Sequence, residues 1–161
     1  MAILINTGIT LGTFLLMECI TWCTHKYVMH GFLWYLHKDH HQPHDGFFEK
    51  NDAFFLIFAV PSFLLMLTGA QAGFDFKFAL GLGIMLYGMA YFLVHDIFIH
   101  QRFKLLRNAN SWYARGLRKA HKVHHKHLGK YEGECFGMLF VPLQYFREAM
   151  KRSDNLFEKG R

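Results

Sequence analysis

Three long stretches of this 161-residue chain carry almost no charge, and they constrain the fold more than any other feature. Residues 2–24 contain one acid, Glu18, and no base, whereas residues 53–74 and 78–94 contain no charged side chain. At about 1.5 Å per residue, helices of this length cross or nearly cross a hydrocarbon core of roughly 30 Å. We therefore predict spanning helices over about residues 3–24, 53–73 and 77–95, within one domain that covers residues 1–161.

A fourth apolar run covers residues 135–146, but it is too short to span a bilayer alone and it contains Pro142. It is predicted as a short fourth membrane segment, either re-entrant or interfacial, or as half of a longer helix. The predicted fold class is all-α. It is an integral membrane bundle of three to four spanning helices with a helical cap outside the membrane.

The basic residues predict the orientation of the bundle. If residues 25–52 and 96–161 lie on one side of the membrane, that side holds 17 of the 18 Lys and Arg residues, and only Lys77 lies opposite. Loops rich in Lys and Arg stay in the cytoplasm. The C-terminus is therefore predicted to be cytoplasmic and the N-terminus outside. The excess of basic residues is explained by this topology and by contact with anionic lipid, so nucleic-acid binding is not expected.

Ten of the twelve histidines form four clusters at the ends of the apolar stretches, on the predicted cytoplasmic side. The pattern H-x4-H followed by H-x2-H-H occurs once in each half of the chain. Imidazole is a common ligand of iron, zinc and copper, and ten are too many for one ion. The sequence thus predicts a multinuclear metal centre at a membrane surface. Its candidate ligands are His25, His30, His37, His40, His41, His95, His100, His121, His124 and His125.

Helical geometry distinguishes the two kinds of cluster. Residues at i, i+3 and i+4 share one face of an α-helix, so the three histidines of each H-x2-H-H cluster converge. Two such triplets on two helices could hold a pair of metal ions. The rings of an H-x4-H pair lie about 140° apart in a regular α-helix, so these pairs require a kink or two neighbouring ions.

Several polar residues could hydrogen-bond the ligand imidazoles and fix their orientation. Glu18 lies inside an apolar stretch, where a carboxylate is costly and usually partnered. We expect it to bond a ligand imidazole or a neighbouring helix, or else a hydroxyl such as that of Thr21. The other candidates are Asp39, Asn51, Asp52 and Asp96. His44 and His127 fall outside the repeated pattern and are predicted as surface residues or as partners of the ligands.

An amphipathic helix is predicted from Ser111 to about Leu128, with histidines on one side and bases on the other. The basic side could dock an acidic electron carrier or bind anionic lipid, and the sequence favours neither. Its members are Arg115, Arg118, Lys119, Lys122 and Lys126.

The four clusters, with their order and spacing, resemble those of the fatty acid hydroxylase superfamily of histidine-rich membrane di-iron oxygenases. Residues around Glu49-x-Asn51-Asp52 and His95-Asp96 make the chain most similar to the bacterial carotenoid branch. The resemblance implies two non-haem iron ions, with O2 as co-substrate. Because imidazole binds both metals, zinc could fill the same sites in a purified sample. The resemblance also implies hydroxylation of the β-ionone rings of β-carotene at C3 and C3′, giving zeaxanthin through β-cryptoxanthin. The implied setting is the inner membrane, with substrate from the bilayer and a ferredoxin-type electron donor.

Two other functions stay open from the sequence. A related centre could carry out fatty-acyl or sterol hydroxylation, desaturation or carotenoid ketolation. A non-enzymatic metal-binding or transport protein is less favoured, because the apolar stretches offer almost no polar path beyond Glu18. The sequence predicts no particular oligomeric state.

Overall fold

The computed structural model describes residues 1–42 and 46–159, with side chains described through Lys151. His44 lies outside the described residues. The described part is helical and contains no strand. In chain order, the α-helices are α1 (Ala2–Cys23), α2 (Trp34–His41), α3 (Ala53–Gln71), α4 (Phe76–Phe92), α5 (Trp112–His124) and α6 (Leu143–Lys159). π-Helical segments, Thr24–Phe32 and Leu93–Ile99, extend α1 and α4, and a 3-10 turn, Lys50–Asp52, precedes α3.

Three helical stretches are long and apolar enough to cross a membrane, as predicted. They are Ala2–Phe32, Lys50–Gln71 and Phe76–Ile99. The first and third include the predicted spans 3–24 and 77–95, and the second covers all but the last two residues of the predicted span 53–73. The predicted fourth membrane segment does not form a spanning helix within the described residues. Residues 135–142 are irregular, and α6 begins only at Leu143, directly after Pro142.

Small residues bring α4 close to both other spans. A Cβ on Gly81 would lie 2.7 Å from the carbonyl oxygen of Ser62 in α3, and one on Gly83 would lie 2.7 Å from that of Thr10 in α1. The hydroxyl of Ser62 donates to the carbonyl of Gly81 at 2.7 Å, and that of Thr10 donates to the carbonyl of Ala79 at 3.1 Å. Such approaches strengthen helix association in lipid, where burial of apolar surface provides no driving force.

The cap consists of α5 and α6, which pack against each other beneath the second π-helical segment. Ser111 caps α5 by accepting from the backbone N–H of Ala114, close to the predicted start of this helix. Leu117 and Ala120 on α5 are buried against Tyr145 and Phe146 of α6. This packing fixes the histidine-bearing face of α5 against the ends of α1 and α4.

Candidate metal centre

Both H-x4-H pairs lie in π-helical turns, which bring their two rings to the same face. A π-helix closes its hydrogen bonds between residues i and i+5, so positions five apart lie one above the other. The backbone N–H of His100 accordingly donates to the carbonyl of His95 at 2.9 Å. The ring centroids are 4.5 Å apart for His95 and His100, and 5.3 Å apart for His25 and His30. The sequence required a departure from regular α-helix at each H-x4-H pair, and the structure shows that this departure is a π-helical turn.

The ten clustered histidines meet at one end of the bundle, and nine of them form two groups. Within each group the candidate ligand nitrogens lie within 4.8 Å of one another. The five-histidine group comprises His25, His30, His37, His41 and His124, and the four-histidine group comprises His40, His95, His100 and His121. Each H-x2-H-H cluster therefore contributes to both groups. His125 lies between the groups, with its ring 4.5 Å from those of His41 and His121.

Seven of these imidazoles are oriented by hydrogen bonds at Nδ1. Backbone carbonyls accept from four rings: Phe136 from His25 (3.0 Å), Lys130 from His30 (3.1 Å), His127 from His41 (3.1 Å) and Glu134 from His124 (2.8 Å). Side-chain oxygens accept from three: Asn51 from His37 (2.7 Å), Glu49 from His40 (2.7 Å) and Asp96 from His95 (3.1 Å). Because carbonyl and carboxylate oxygens only accept, the proton lies on Nδ1 and the lone pair on Nε2.

The Nε2 atoms of the oriented rings point at one another. Nε2 of His37 is 3.1 Å from Nε2 of both His25 and His41, and Nε2 of His95 is 3.0 Å from that of His40. Two lone pairs at this distance cannot form a hydrogen bond, and they repel unless a cation lies between them. Two ligands at right angles, each about 2.1 Å from one ion, are about 3 Å apart. The donor set thus fits metal ions.

Two further nitrogens point to the same conclusion. Nε2 of His30 and Nε2 of His125 are buried and have no hydrogen-bond partner among the described residues. An unsatisfied buried polar atom is costly, and a metal ion bound to a ring nitrogen that carries a lone pair would satisfy it. The site is also almost closed to water, since the imidazole of His124 is fully buried and that of His37 nearly so.

Burial keeps the imidazoles in the neutral form that binds metal. Desolvation lowers the pKa of His37 and of His124 to about 2, that of His125 to about 3 and that of His41 to about 4. Neighbouring imidazoles lower each pKa further, because two adjacent rings cannot both be charged. Burial likewise holds the pKa of His40, His100 and His121 well below the usual range.

Of the five predicted partners of the imidazoles, Asn51 and Asp96 hydrogen-bond a ring, whereas Asp39 and Asp52 do not. Glu18 takes the other course that we expected of it, a hydrogen bond to a neighbouring helix. Asp39 accepts from the backbone N–H of Lys50 at 2.7 Å, because it lies about 100° around α2 from His40. Asp52 accepts from the backbone N–H of Glu49 and from Arg102. Neither carboxylate bonds an imidazole in the described structure.

The carboxylate of Glu18 bonds a neighbouring helix and a loop, and it bonds neither an imidazole nor the hydroxyl of Thr21, which donates to the backbone carbonyl of Glu18. Its carboxylate accepts from the hydroxyl of Tyr87 in α4 at 2.6 Å. It also accepts from the backbone N–H groups of Met138, Leu139 and Phe140 at 2.9–3.2 Å. Glu18 lies seven residues before His25, roughly 10 Å along the helix, which is too far for an imidazole contact.

Sequence reasoning missed Glu49, Arg102 and the carbonyls of residues 127–136 as parts of the site. Glu49 begins a 3-10 turn as its N-cap, and its carboxylate accepts from His40. The guanidinium of Arg102 lies 2.8 Å from Asp52, 3.1 Å from Asp96 and 3.4 Å from Glu49. The proximity of Glu49 to Asn51 and Asp52 was the available signal for that residue. Backbone carbonyls leave no such trace in a sequence.

The predicted basic stripe on α5 is only partly exposed. Arg115 donates to the carbonyls of Asn110 and Ala149, and Arg118 donates to three carbonyls of residues 106–109. Lys119 pairs with Glu148 of α6. Lys122 and Lys126 are exposed, and they extend the stripe to the end of α5 and just beyond it. The imidazole of His127 lies outside both histidine groups, 3.9 Å from the carboxylates of Glu132 and Glu134.

The fold and the site together define a class of protein. A helical bundle with three candidate membrane spans and ten buried or half-buried histidines at one end is typical of integral membrane proteins with a histidine-rich metal centre.

Comparison with known proteins identifies the family. A sequence profile described as fatty acid hydroxylase matches residues 10–146. A β-carotene hydroxylase of Pantoea ananas is 38% identical over 137 residues, which cover 85% of this chain and 78% of the relative. One of Paracoccus sp. (strain PC1) is 35% identical, with 90% of each chain covered. A chloroplastic β-carotene hydroxylase 2 of Capsicum annuum is 38% identical over 84% of this chain and 44% of its own. No solved structure matches. The chain belongs to the fatty acid hydroxylase family, and it is a hydroxylase.

Proposed function

We propose that this enzyme hydroxylates the β-ionone rings of β-carotene at C3 and C3′, giving zeaxanthin through β-cryptoxanthin. The observation that carries the proposal is a buried set of facing Nε2 lone pairs at the end of a bundle whose bacterial relatives are β-carotene hydroxylases. This combination favours an oxidation carried out beside the lipid on a hydrocarbon substrate.

The proposed cofactor is a pair of non-haem iron ions, one in each histidine group. Bound iron would activate O2 for hydroxylation, with two electrons consumed per hydroxyl group inserted. The ten clustered histidines are the proposed ligands, and Nδ1 hydrogen bonds hold seven of the rings so that Nε2 faces inward. Neutral imidazoles suit zinc as well as iron, so zinc can replace iron in a purified sample.

The proposed setting is the inner membrane, with the metal centre and C-terminus on the cytoplasmic side and the N-terminus outside. The concentration of Lys and Arg residues on the histidine-bearing side supports this orientation. Exposed apolar side chains on the spans support entry of substrate from the bilayer. A shallow, largely apolar surface of α1 and the first π-helical segment, the segment that carries His25, is formed by Cys19, Ile20, Cys23, Thr24, Tyr27 and Val28.

A ferredoxin-type protein is the proposed electron donor. Lys122 is exposed on α5, the helix that also carries His121 and His124, and Lys126 is exposed just after the end of this helix. An acidic carrier bound there would lie close to the metal centre, and complementary charge would steer its approach. Arg115 and Arg118 are engaged with backbone carbonyls, which leaves them a supporting part in this surface.

A second candidate function is hydroxylation of a fatty-acyl chain. It is favoured by the description of the family profile that matches residues 10–146. The same metal centre and the same entry of substrate from the bilayer would serve this reaction. The two functions must therefore be distinguished by identifying the hydroxylated product.

Expression in a bacterial host that accumulates β-carotene separates the two functions. We expect zeaxanthin, with β-cryptoxanthin as the intermediate, when extracted pigments are resolved by chromatography. Unchanged β-carotene from well-expressed, iron-loaded protein would reject the carotenoid function, and hydroxylated fatty acids in the same extract would favour the second.

Substitution of one ligand tests whether the histidine centre carries the reaction. His124→Ala removes a fully buried ring from the five-histidine group, and we expect complete loss of product with the protein still inserted. His127→Ala is the matched control, since its imidazole lies outside both groups and its carbonyl is preserved. Substantial hydroxylation by the His124→Ala protein would exclude this residue as an essential ligand.

A further inference from the structure

The hydrogen-bond acceptors behind the two histidine groups differ in charge. Every member of the five-histidine group donates from Nδ1 to a neutral oxygen. Four of these oxygens are backbone carbonyls, and the fifth is the side-chain amide oxygen of Asn51. In the four-histidine group, the acceptors of His40 and His95 are the carboxylates of Glu49 and Asp96.

These carboxylates belong to a charged network that lies on the side of the four-histidine group. The guanidinium of Arg102 is within 3.4 Å of Glu49, Asp52 and Asp96, so one positive charge faces three negative charges. The side chains of Glu49, Asp96 and Arg102 are 14–16% exposed, which limits screening by solvent. The excess negative charge is therefore felt mainly by the nearer metal position.

A carboxylate behind a metal-bound imidazole makes the ring a stronger donor to the metal than a neutral oxygen does. Partial transfer of the Nδ1 proton toward the carboxylate increases the electron density on Nε2. A carbonyl or amide oxygen orients the ring equally well but withdraws the proton less. The two metal positions thus have ligands of one type but of different basicity.

We propose that Glu49 and Asp96, held in place by Arg102, selectively tune the four-histidine position and make it the more electron-rich of the two. Glu49 and Asp96 act as positioning residues through His40 and His95. This inference rests on the metal centre of the proposed function, but it concerns the two ions and not the substrate.

Reciprocal substitutions test the proposal. Glu49→Gln keeps an oxygen acceptor for His40 and removes the charge, whereas Asn51→Asp introduces a charge behind His37 in the other group. Asp39→Asn is the matched control, because Asp39 lies on the same helix as both rings and accepts only from the backbone of Lys50 among its described contacts. Each full-length protein is purified in detergent and loaded with 57Fe.

Mössbauer spectra of the iron-loaded wild type should show two doublets of equal area. Glu49→Gln should shift one doublet, Asn51→Asp should shift the other, and Asp39→Asn should shift neither. During titration with a chelator, Glu49→Gln should lose one of its two iron equivalents roughly 10- to 100-fold more readily than the wild type. A structural role for Glu49 would instead loosen both ions together.

Several results would overturn the proposal. They are a single wild-type doublet, equal changes at both ions, no change in Glu49→Gln, or wild-type protein without two bound ions. If Glu49→Gln does not fold, the Asn51→Asp protein decides the question. A shift of only one of its two doublets supports the proposal, and an unchanged spectrum opposes it. Two ions with the expected response but no zeaxanthin would overturn the carotenoid function and leave the inference standing.

Discussion

Glu18→Gln is expected to destabilise the protein, because the carboxylate of Glu18 joins three separate parts of the fold. It is buried, with 7% of the residue exposed, and it connects α1 to Tyr87 of α4 and to the loop that precedes α6. Four groups donate to it: one hydroxyl and three backbone N–H groups. The same loop presents the carbonyls of Glu134 and Phe136 to His124 and His25.

The magnitude follows from the loss of charge at these four hydrogen bonds. A hydrogen bond to a charged group contributes about 1.5–3 kcal/mol, against about 1 kcal/mol for a neutral one. Glutamine keeps an acceptor oxygen but removes the charge and adds a donor that faces other donors. We therefore expect a loss of about 2–4 kcal/mol in the free energy of unfolding, with weaker retention of metal because two imidazoles lose their fixed acceptors.

Unfolding of the purified protein in detergent micelles, followed by circular dichroism, measures this change. Thr68→Ala is the matched control, because it removes a polar group from another span. Among the described residues, the hydroxyl of Thr68 bonds only carbonyls of its own helix. The control should stay within about 0.5 kcal/mol of the wild type. A Glu18→Gln protein as stable as the control would refute the role assigned to the carboxylate.

Three further predictions concern the bundle, the metal-free site and the basic surface. Gly83→Ala should lower the free energy of unfolding by about 1–3 kcal/mol, because the new Cβ would lie 2.6 Å from Cβ of Thr13. Gly88→Ala, whose Cβ would meet open space, should not destabilise the protein, and equal unfolding curves for the two variants would contradict this prediction. Metal-free protein should lose stability as the pH falls from about 6.5 toward 4. Burial, and to a smaller extent the neighbouring ring of His30, lowers the pKa of His41 to about 4, so in this range the unfolded chain takes up protons that the folded site excludes. A free energy of unfolding that stays constant between pH 7 and 5 would oppose this prediction. Replacing Lys122 and Lys126 together by Glu should slow the reduction of the metal centre by ferredoxin several-fold at low salt. Lys77→Glu, at the opposite end of the helical bundle, should leave this rate unchanged. A loss of rate that does not depend on salt would exclude electrostatic steering of the ferredoxin.

The spans could be predicted from the sequence because the absence of charge over some twenty residues is a local property. The same is true of the H-x2-H-H clusters, since the spacing i, i+3, i+4 places side chains on one face of an α-helix without further information. The way each cluster divides between two metal positions could not be predicted. It depends on how α2 and α5 are placed against the ends of α1 and α4.

The π-helical turns were beyond prediction for a different reason. An α-helix and a π-helix differ by one residue per hydrogen-bonded turn, and no residue type marks the change in advance. The H-x4-H spacing indicated only that a regular α-helix would separate His25 from His30. The backbone at Gly31 is non-helical and interrupts the first π-helical segment near its end, and this glycine was a local sign of the interruption.

The hydrogen-bond partners of the imidazoles were the least predictable part of the site. Asn51 and Asp96 could be anticipated because they are polar residues close to the histidine clusters in sequence. The carbonyls of Lys130, Glu134 and Phe136 could not, since every residue has such a group and the fold alone decides which one faces a ring. For Glu18 the difficulty was different. A carboxylate inside a membrane is costly, so the sequence predicted that Glu18 has a hydrogen-bond partner, but it did not predict which residue that partner is.

Anomalous X-ray scattering at the iron edge, from crystals of the iron-loaded protein, tests the central claim of a two-metal histidine centre most directly. The account predicts two peaks of comparable height, one in the five-histidine group and the other in the four-histidine group. A single peak, or iron bound away from the facing Nε2 atoms, would contradict it.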